Sequence, residues 1–415
     1  MPERNAIIVN GNALKLAIFG PNCWSARTYT TIPERWDASW ENNVKLAKLA
    51  EVHVIVLLDY HDQIAENLEL EKFCASVEFI IRMQGQHGSS FSILPHAVRE
   101  FANEDLAWLI HRQIYERKID MVQLEYTNMG QYVEPFERIA TALFEHDIYF
   151  QSIGRGLGQV TGPLAKFIAR LEYLRALRYE LCMLPRCDQV QVCTVDNREY
   201  LASFVPHVGS RIQEGLRAGI DTSRYEFRAC GREPYTMLFL GSFRHLPNFA
   251  ALDWFVHRVL PRILERRPEA RLIVVGSDPP PPHVYGDFPN AIDVVGFVED
   301  IRRVLERYAV FVCPILSGSG VRVKLLEAFA SGMPAVSTSI GAEGLARQDG
   351  EFCFLADDPR EFAERVLLLF DEPEKAAAMA ARARAEVVGN WDMAKITRSL
   401  YESYAEMVQE KRNRR

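Results

Sequence analysis

The sequence predicts an α/β protein built from two doubly wound, Rossmann-like domains, and three observations predict it. Short apolar runs alternate with amphipathic stretches along most of the chain, as strand–helix–strand units on a parallel sheet require. The alternation stops and restarts once, near the middle. A length of 415 residues also exceeds what one ordinary core organises.

In the first series Leu14 to Phe19 and Val52 to Leu58 read as strands around the amphipathic stretch Ala38 to Ala50. Met121 to Leu124 is a further strand. Pro135 to Phe144 reads as a helix that closes at Leu143-Phe144-Glu145-His146-Asp147, with Ile148 to Ile153 as the strand after it. A long helical pattern runs from about Pro163 to Met183, and the strand Gln189 to Thr194 leads into a helix, Asn197 to Phe204.

The second series starts afresh at Tyr235 with the strand Met237 to Leu240, the helix Phe249 to Arg266 and the strand Arg271 to Gly276. Val294-Val295 precedes a Gly296-Phe297-Val298 turn. Ile301 to Arg307 is helical, Val310 to Val312 a strand, Val323 to Ala330 a helix after a glycine loop, and Ala335 to Ser337 a short strand. Between the series, Gly219 to Pro234 lacks periodicity and carries turn residues, so the boundary is expected within 222–234. The expected division is 1–222, 223–390, and a terminal helix and tail, 391–415, with the first domain as its candidate packing surface.

Composition excludes several classes. The 48 Lys+Arg and 55 Asp+Glu give a net charge of −7, and 48% of residues are hydrophobic, so a disordered, collagen-like or nucleic-acid-coating chain is ruled out. No nucleic-acid partner is expected. The eight cysteines are scattered, and Cys182, Cys187 and Cys193 lack the paired spacing of a zinc site, so they read as reduced thiols of a cytoplasmic protein. No apolar run approaches the roughly 20 residues of a transmembrane helix. Glu3-Arg4-Asn5 before a short Ala6 to Val9 run does not make a signal peptide.

Two segments stand apart. Pro279 to Pro282 reads as a rigid loop, and Lys411-Arg412-Asn413-Arg414-Arg415 as a solvated tail, with anionic-lipid binding as its second reading. The helix with Lys166, Arg170, Arg175 and Arg178 among Leu, Phe and Tyr is open to two readings. One is a solvated face; the sharper one is peripheral contact with the inner face of a membrane.

The chemistry concentrates between Pro314 and Pro334. A strand ends, Gly318 and Gly320 let the backbone turn and present its N–H groups, and a helix begins with its positive end toward any bound anion. Arg322 and Lys324, in or beside the first helical turn, would neutralise the oxygens of a diphosphate. Glu327, about one turn further on, suits the two hydroxyls of a ribose. A solvated basic helix after a buried glycine turn is the plainer alternative. Glu125-Tyr126 follows a strand at the carboxyl end, where doubly wound sheets bind ligands. Gly154-Arg155-Gly156-Leu157-Gly158 imitates a dinucleotide loop, but Gln159 takes the place of its third glycine and no suitable acid closes the unit.

From Met237 to Leu345 the sequence resembles the second domain of the retaining GT-B glycosyltransferases of family four, glycosyl transferases group 1. The resemblance is carried by Gly241 to Pro261 (GSFRHLPNFAALDWFVHRVLP), Arg271 to Gly276 (RLIVVG), Val295 to Val298 (VGFV) and the Pro314 to Pro334 stretch. Of the family's E-x7-E pair only the second member, Glu327, is present, with Ser319 at the first position. Ser242 and Pro247 stand where the family often has Arg and Lys. Gly318, Gly320, Arg322, Lys324 and Glu327 instead fit a subgroup reading G-x-G-x-R-x-K-x-x-E, in which relocated cations fill the same electrostatic role.

The resemblance implies a GT-B architecture with two domains facing an interdomain cleft. It also implies transfer of a hexose from a nucleoside-diphosphate sugar to a hydroxyl acceptor, which would be a glycan, a lipid-linked sugar or a small molecule. Retention, no metal, no cofactor beyond the donor itself and a place in polysaccharide biosynthesis follow from the same likeness. It makes His146, Arg322 and Lys324 the catalytic candidates, His146 resembling the family's histidine that faces the donor sugar; a surface or helix-end histidine is the plainer reading. The donor would meet Gly241, Arg244, Gly296, Phe297, Val298, Gly318, Ser319, Gly320 and Glu327. The acceptor would meet Glu125, Tyr126 and the loop Gly20-Pro21-Asn22-Cys23 with Arg27, represented by Asn22 and Arg27. Ala218 to Asp221 resembles the family's N-G-V-D segment. Two alternatives share the diphosphate site: a nucleotide-sugar 2-epimerase-like enzyme and a non-catalytic nucleotide-sugar-binding subunit. Base, sugar, linkage and oligomeric state are left open.

Overall fold

The computed structural model describes residues 14–21, 43–61, 63–82, 92–134, 136–216, 218–285, 288, 290–318 and 320–413. Asn22, Arg27 and Ser319, and the beginning of the Ala38 to Ala50 stretch, lie outside them. The chain forms two compact units, each with its own parallel sheet. Described residues up to 216 and Ala394 onward make the first; Ala218–Met393 makes the second.

The first unit has seven strands: β1 (Lys15–Pro21), β2 (Glu51–Leu58), β3 (Ser76–Ile81), β4 (Met121–Glu125), β5 (Ala140–Glu145), β6 (Gln189–Val192) and β7 (Ile212–Glu214). They run in the order β3-β2-β1-β4-β5-β6-β7, all parallel. Alternate residues feed opposite cores, because side chains in a strand alternate between faces. Ala17 and Phe19 of β1 join Leu124, Leu143 and Val190 on one face, while Leu16 and Ile18 join Val54, Met121 and Ala142 on the other.

Helices α1 (Glu104–Arg117), α2 (Tyr149–Gly156), α3 (Pro163–Met183) and α4 (Val195–Phe204) contribute to the first of these cores. Asn103 caps α1, its side chain accepting from Leu106 N, and Thr194 caps α4 in the same way through Asn197 N.

One pair of elements is exchanged relative to the sequence reading. Ala140–Glu145 is a buried central strand rather than the end of a helix, and Tyr149–Gly156 is a helix rather than a strand. A six-residue apolar run has no decisive period of its own. Pairing with β4 on one side and β6 on the other selects the extended form. His146 therefore follows a strand's carboxyl end and is not a helix terminus.

The second unit has β8 (Glu233–Leu240), β9 (Arg271–Val275), β10 (Ile292–Gly296), β11 (Tyr308–Cys313), β12 (Ala335–Ser337) and β13 (Phe354–Leu355) in the order β10-β9-β8-β11-β12-β13. Both sheets thus reverse strand order beside their first strand, β1/β4 in one and β8/β11 in the other. Such switch points open a crevice at the carboxyl ends of the strands. Helix α5 (Leu246–Trp254) continues through a π-turn at Phe255–Val259 into Leu260–Arg266, where Pro261 removes an amide donor. Helices α6 (Ile301–Arg307), α7 (Val323–Ala330), α8 (Pro359–Asp371) and α9 (Pro373–Asn390) complete the unit.

The second unit begins at Ala218, ahead of the expected 222–234, because Ile220 pairs with the far end of that unit. Ile220 N donates to Trp391 O, and Met393 N donates to Ile220 O.

The last helix, α10 (Met393–Asn413), belongs to the first unit from Ala394 onward. Leu400, Tyr401 and Tyr404 pack into its second core. Tyr404 donates to Gln123 Oε1 at 2.5 Å. Lys411 and Arg412, read from the sequence as part of a solvated tail, instead bond Asp188 and Asp120.

Candidate functional site

In the second unit Gly241, Gly318, Gly320, Arg322 and Lys324 lie at or just after the carboxyl ends of β8 and β11, while Gly296, Phe297 and Val298 follow β10. Gly318 and Gly320 adopt φ of 105° and 81°, values that favour glycine, so the loop after β11 turns as the sequence requires. Arg322 is the N-cap of α7, its carbonyl accepting from Leu325 N at 2.8 Å. A Cβ built on Gly318 would lie 3.0 Å from an Arg322 guanidinium nitrogen, so the missing side chain is what lets that cation sit over the loop.

Lys324 does something the sequence did not disclose. Its ammonium donates to the carbonyl of Leu240 at 2.8 Å and to Asn248 Oδ1 at 2.9 Å, and it lies 5.3 Å from the Phe239 ring centroid. It thereby places its charge at the end of β8. Burial pushes its pKa down to about 8, and Arg322 pushes the same way. Asn248 in turn donates to Ser242 O at 2.8 Å, fixing the loop that follows β8. Gly241 and Gly276 meet here backbone to backbone: a Cβ on Gly276 would stand 1.6 Å from Gly241 O.

Glu327 is fully buried and accepts from the Tyr225 hydroxyl at 2.8 Å. Tyr225 lies in the segment read as a linker and was not among the predicted residues. Its partner is 102 positions away, so no local pattern reveals it. Gly296, at φ 75°, accepts from Gly276 N at 2.8 Å, and Phe297 after it is 37% exposed with Val298 half-buried. Arg244 is largely exposed and forms an ion pair with Asp278 at 2.8 Å.

In the first unit the structure brings Glu125, Tyr126 and His146 together at the carboxyl ends of β4 and β5. His146 Nε2 lies 2.9 Å from Glu125 Oε2, and the Glu125 residue is fully buried. A carboxylate there favours the proton on Nε2, which leaves Nδ1 as acceptor in the neutral ring. Tyr126 holds φ 73°, ψ 145°, a backbone region costly for a residue with a side chain, and its ring stacks on His146.

Behind this group lie two acids that sequence reasoning missed, Glu145 and Glu180. Glu145 accepts from Thr127 Oγ1, and burial pushes its pKa up to about 8. Glu180 accepts from Tyr149 N and Phe150 N at the start of α2, yet burial and Glu145 hold its pKa well above the carboxylate range. Both are conspicuous only in three dimensions: Glu145 lies in a stretch that reads as a helix end, and Glu180 in a helix that reads as a solvated or membrane-facing surface.

The paired parallel sheets are those of the GT-B glycosyltransferase fold. Residues 234–372 match the family model for glycosyl transferases group 1. Among curated proteins, an uncharacterized 44.6 kDa protein in the cps region of Klebsiella pneumoniae is 27% identical over 173 residues, covering 40% of this chain and 45% of that one. A GDP-mannose-dependent monoacylated alpha-(1-6)-phosphatidylinositol monomannoside mannosyltransferase of Corynebacterium glutamicum is 26% identical over 224 residues, 49% of this chain and 59% of that one. The chain thus spans about half the length of the curated relatives it matches.

Among solved structures, sucrose-phosphate synthase from Thermosynechococcus elongatus aligns with a TM-score of 0.69 at 13% identity, over 95% of this chain and 100% of that one. HepE of Anabaena in complex with UDP aligns with a TM-score of 0.64 at 14% identity, again over 95% and 100%.

Proposed function

We propose that the protein transfers a hexose from a nucleoside-diphosphate sugar to a hydroxyl acceptor, with retention at the anomeric carbon and without a metal. One observation carries the reading: Arg322, Lys324 and the first turn of α7 converge on a glycine loop at the switch point of a Rossmann-like sheet. The match of residues 234–372 to glycosyl transferases group 1 and the UDP complex of the HepE neighbour support it.

In this reading the bond between the anomeric carbon and the β-phosphate oxygen breaks, and the acceptor oxygen bonds to that carbon. The acceptor proton passes to the departing phosphate. Charge building on the diphosphate is met by the Arg322 guanidinium, the Lys324 ammonium and the amides of α7. Lys324 reaches the end of β8, where the related family often carries its own cations, and this supports relocation of that charge. Glu327 takes the ribose hydroxyls. His146, oriented by Glu125, faces the sugar, and Tyr126 borders the acceptor.

The acceptor class is proposed as a glycan or lipid-linked sugar, in keeping with the cps-region relative and the phosphatidylinositol mannoside named for the other. Cytoplasmic placement is part of the proposal. Among the described residues no helix is long and apolar enough to cross a membrane.

The test is calorimetric binding of UDP, GDP, ADP and their sugar conjugates in EDTA, to the wild type and to Arg322→Ala and Glu327→Ala. One nucleotide diphosphate bound without metal, and weakened by both substitutions, is the expected result and names the donor. An acceptor screen with NMR of the new linkage then reads the anomeric configuration. An epimerised donor formed without acceptor would favour the 2-epimerase reading, and binding without turnover a non-catalytic subunit.

A further inference from the structure

Helix α3 is anchored only by its second half. Its buried residues are Ala176, Tyr179, Glu180 and Met183. Along the rest, Leu164, Phe167, Ile168, Leu171 and Leu174 are 70, 64, 57, 39 and 57% exposed. At about 100° per residue these five fall within an arc of about 120°, separate from the buried arc. The loop before His96 adds Ile93 and Leu94, 62 and 36% exposed, and is tied to the helix by His96 N donating to Glu172. No other element among the described residues exposes as many large apolar side chains. A contiguous apolar face of this kind marks a docking surface.

The charges on the helix identify what docks. From Pro163 to Arg178 it carries Lys166, Arg170, Arg175 and Arg178 against one acid, Glu172, in a chain whose net charge is −7. Glu172 is itself bonded to Arg175 at 3.4 Å. Lys166 and Arg170 flank the apolar arc, and Arg178 continues it. Pairing the face with a second copy would set two such cation sets into one contact. An anionic lipid surface matches both features at once, because long basic side chains reach phosphate headgroups while the apolar residues enter the acyl boundary.

We infer that the exposed face of α3, with Ile93 and Leu94, seats the protein on an anionic phospholipid membrane. The inference is independent of the transferase reading. Lys411 and Arg412 do not supply the anchor, since they are engaged by Asp188 and Asp120 within the fold.

Flotation with vesicles of phosphatidylcholine alone, and of phosphatidylcholine mixed with phosphatidylglycerol, tests it directly. The full chain is expected to float only with the mixed vesicles. Leu164→Ser/Phe167→Ser/Ile168→Ser and Lys166→Glu/Arg170→Glu should each lower the bound fraction by about tenfold, the apolar and charged signals being jointly required. All these positions are exposed, so circular dichroism should be unchanged. Equal flotation with both vesicle types, none with either, or variants that float like the wild type would overturn the inference. So would sedimentation showing a dimer that the apolar variant dissociates, because a second copy would then be the occupant.

Discussion

The imidazole of His146 lies parallel to the phenol ring of Tyr126, with centroids 3.7 Å apart and planes within 5°. Stacking restrains the ring's plane, and Glu125 restrains its rotation within that plane through Nε2. Two constraints of different kind thus fix one side chain, with Tyr126 itself held in an unfavourable backbone conformation to do so.

Glu125→Gln should keep the packing but remove the carboxylate that selects the Nε2–H tautomer. Under the proposed mechanism we expect kcat to fall by roughly tenfold to a hundredfold with donor affinity nearly unchanged. Steady-state kinetics alongside calorimetry separates the two quantities. A loss confined to binding would remove His146 from the chemical step.

Nucleotide diphosphate binding should weaken as pH rises through about 8, where burial places the Lys324 pKa. Below that pH the ammonium is charged before the ligand arrives. Above it the free protein holds a neutral amine, and binding must take up a proton, so affinity falls by up to about tenfold per pH unit. Calorimetry in buffers of different ionisation enthalpy counts the proton. Stability responds with the opposite sign: between the folded value and the ordinary lysine value, the unfolded chain binds the proton more tightly, so raising pH through that window stabilises the fold.

Tyr225→Phe removes the donor that satisfies Glu327 in the unliganded protein. A buried carboxylate that loses a hydrogen bond should lower stability by about 1–3 kcal/mol. If ribose hydroxyls take the same place, the variant should bind the nucleotide diphosphate severalfold more tightly and regain its thermal stability when saturated. Thermal melts with and without nucleotide measure both effects; unchanged affinity would mean that Tyr225 and the ribose do not compete.

Glu145→Gln should stabilise the protein at alkaline pH and leave it nearly unchanged at pH 5. The folded state keeps the Glu145 proton up to about pH 8, whereas the unfolded chain loses it near the ordinary carboxylate value of 4.5. Stability therefore falls as pH rises across that interval, and glutamine removes the slope. Denaturant melts at several pH values check this; parallel profiles for the two proteins would show that Glu145 does not carry the effect.

The second unit was legible because its signals are local. Val323–Ala330 and Ala335–Ser337 fall where glycine turns and helix-start residues place them, and the cations of α7 lie within one motif. In the first unit, Ala140–Glu145 becomes a strand through neighbours remote in sequence, so its run of Ala, Thr, Leu and Phe misleads. The pairing of Tyr225 with Glu327, and of Lys324 with Leu240, joins residues that no spacing rule connects. Motifs identify which side chains carry charge, and the topology decides what each one touches.

The return of α10 to the first unit makes that unit discontinuous in the chain. Tyr401 and Tyr404 fill a core whose strands were laid down hundreds of residues earlier, with the whole of Ala218–Met393 made in between. During synthesis the α10 share of that core, Leu400, Tyr401 and Tyr404, becomes available only after Ala218–Met393 has been made. The packing that completes the first unit therefore depends on residues made after the whole of the second.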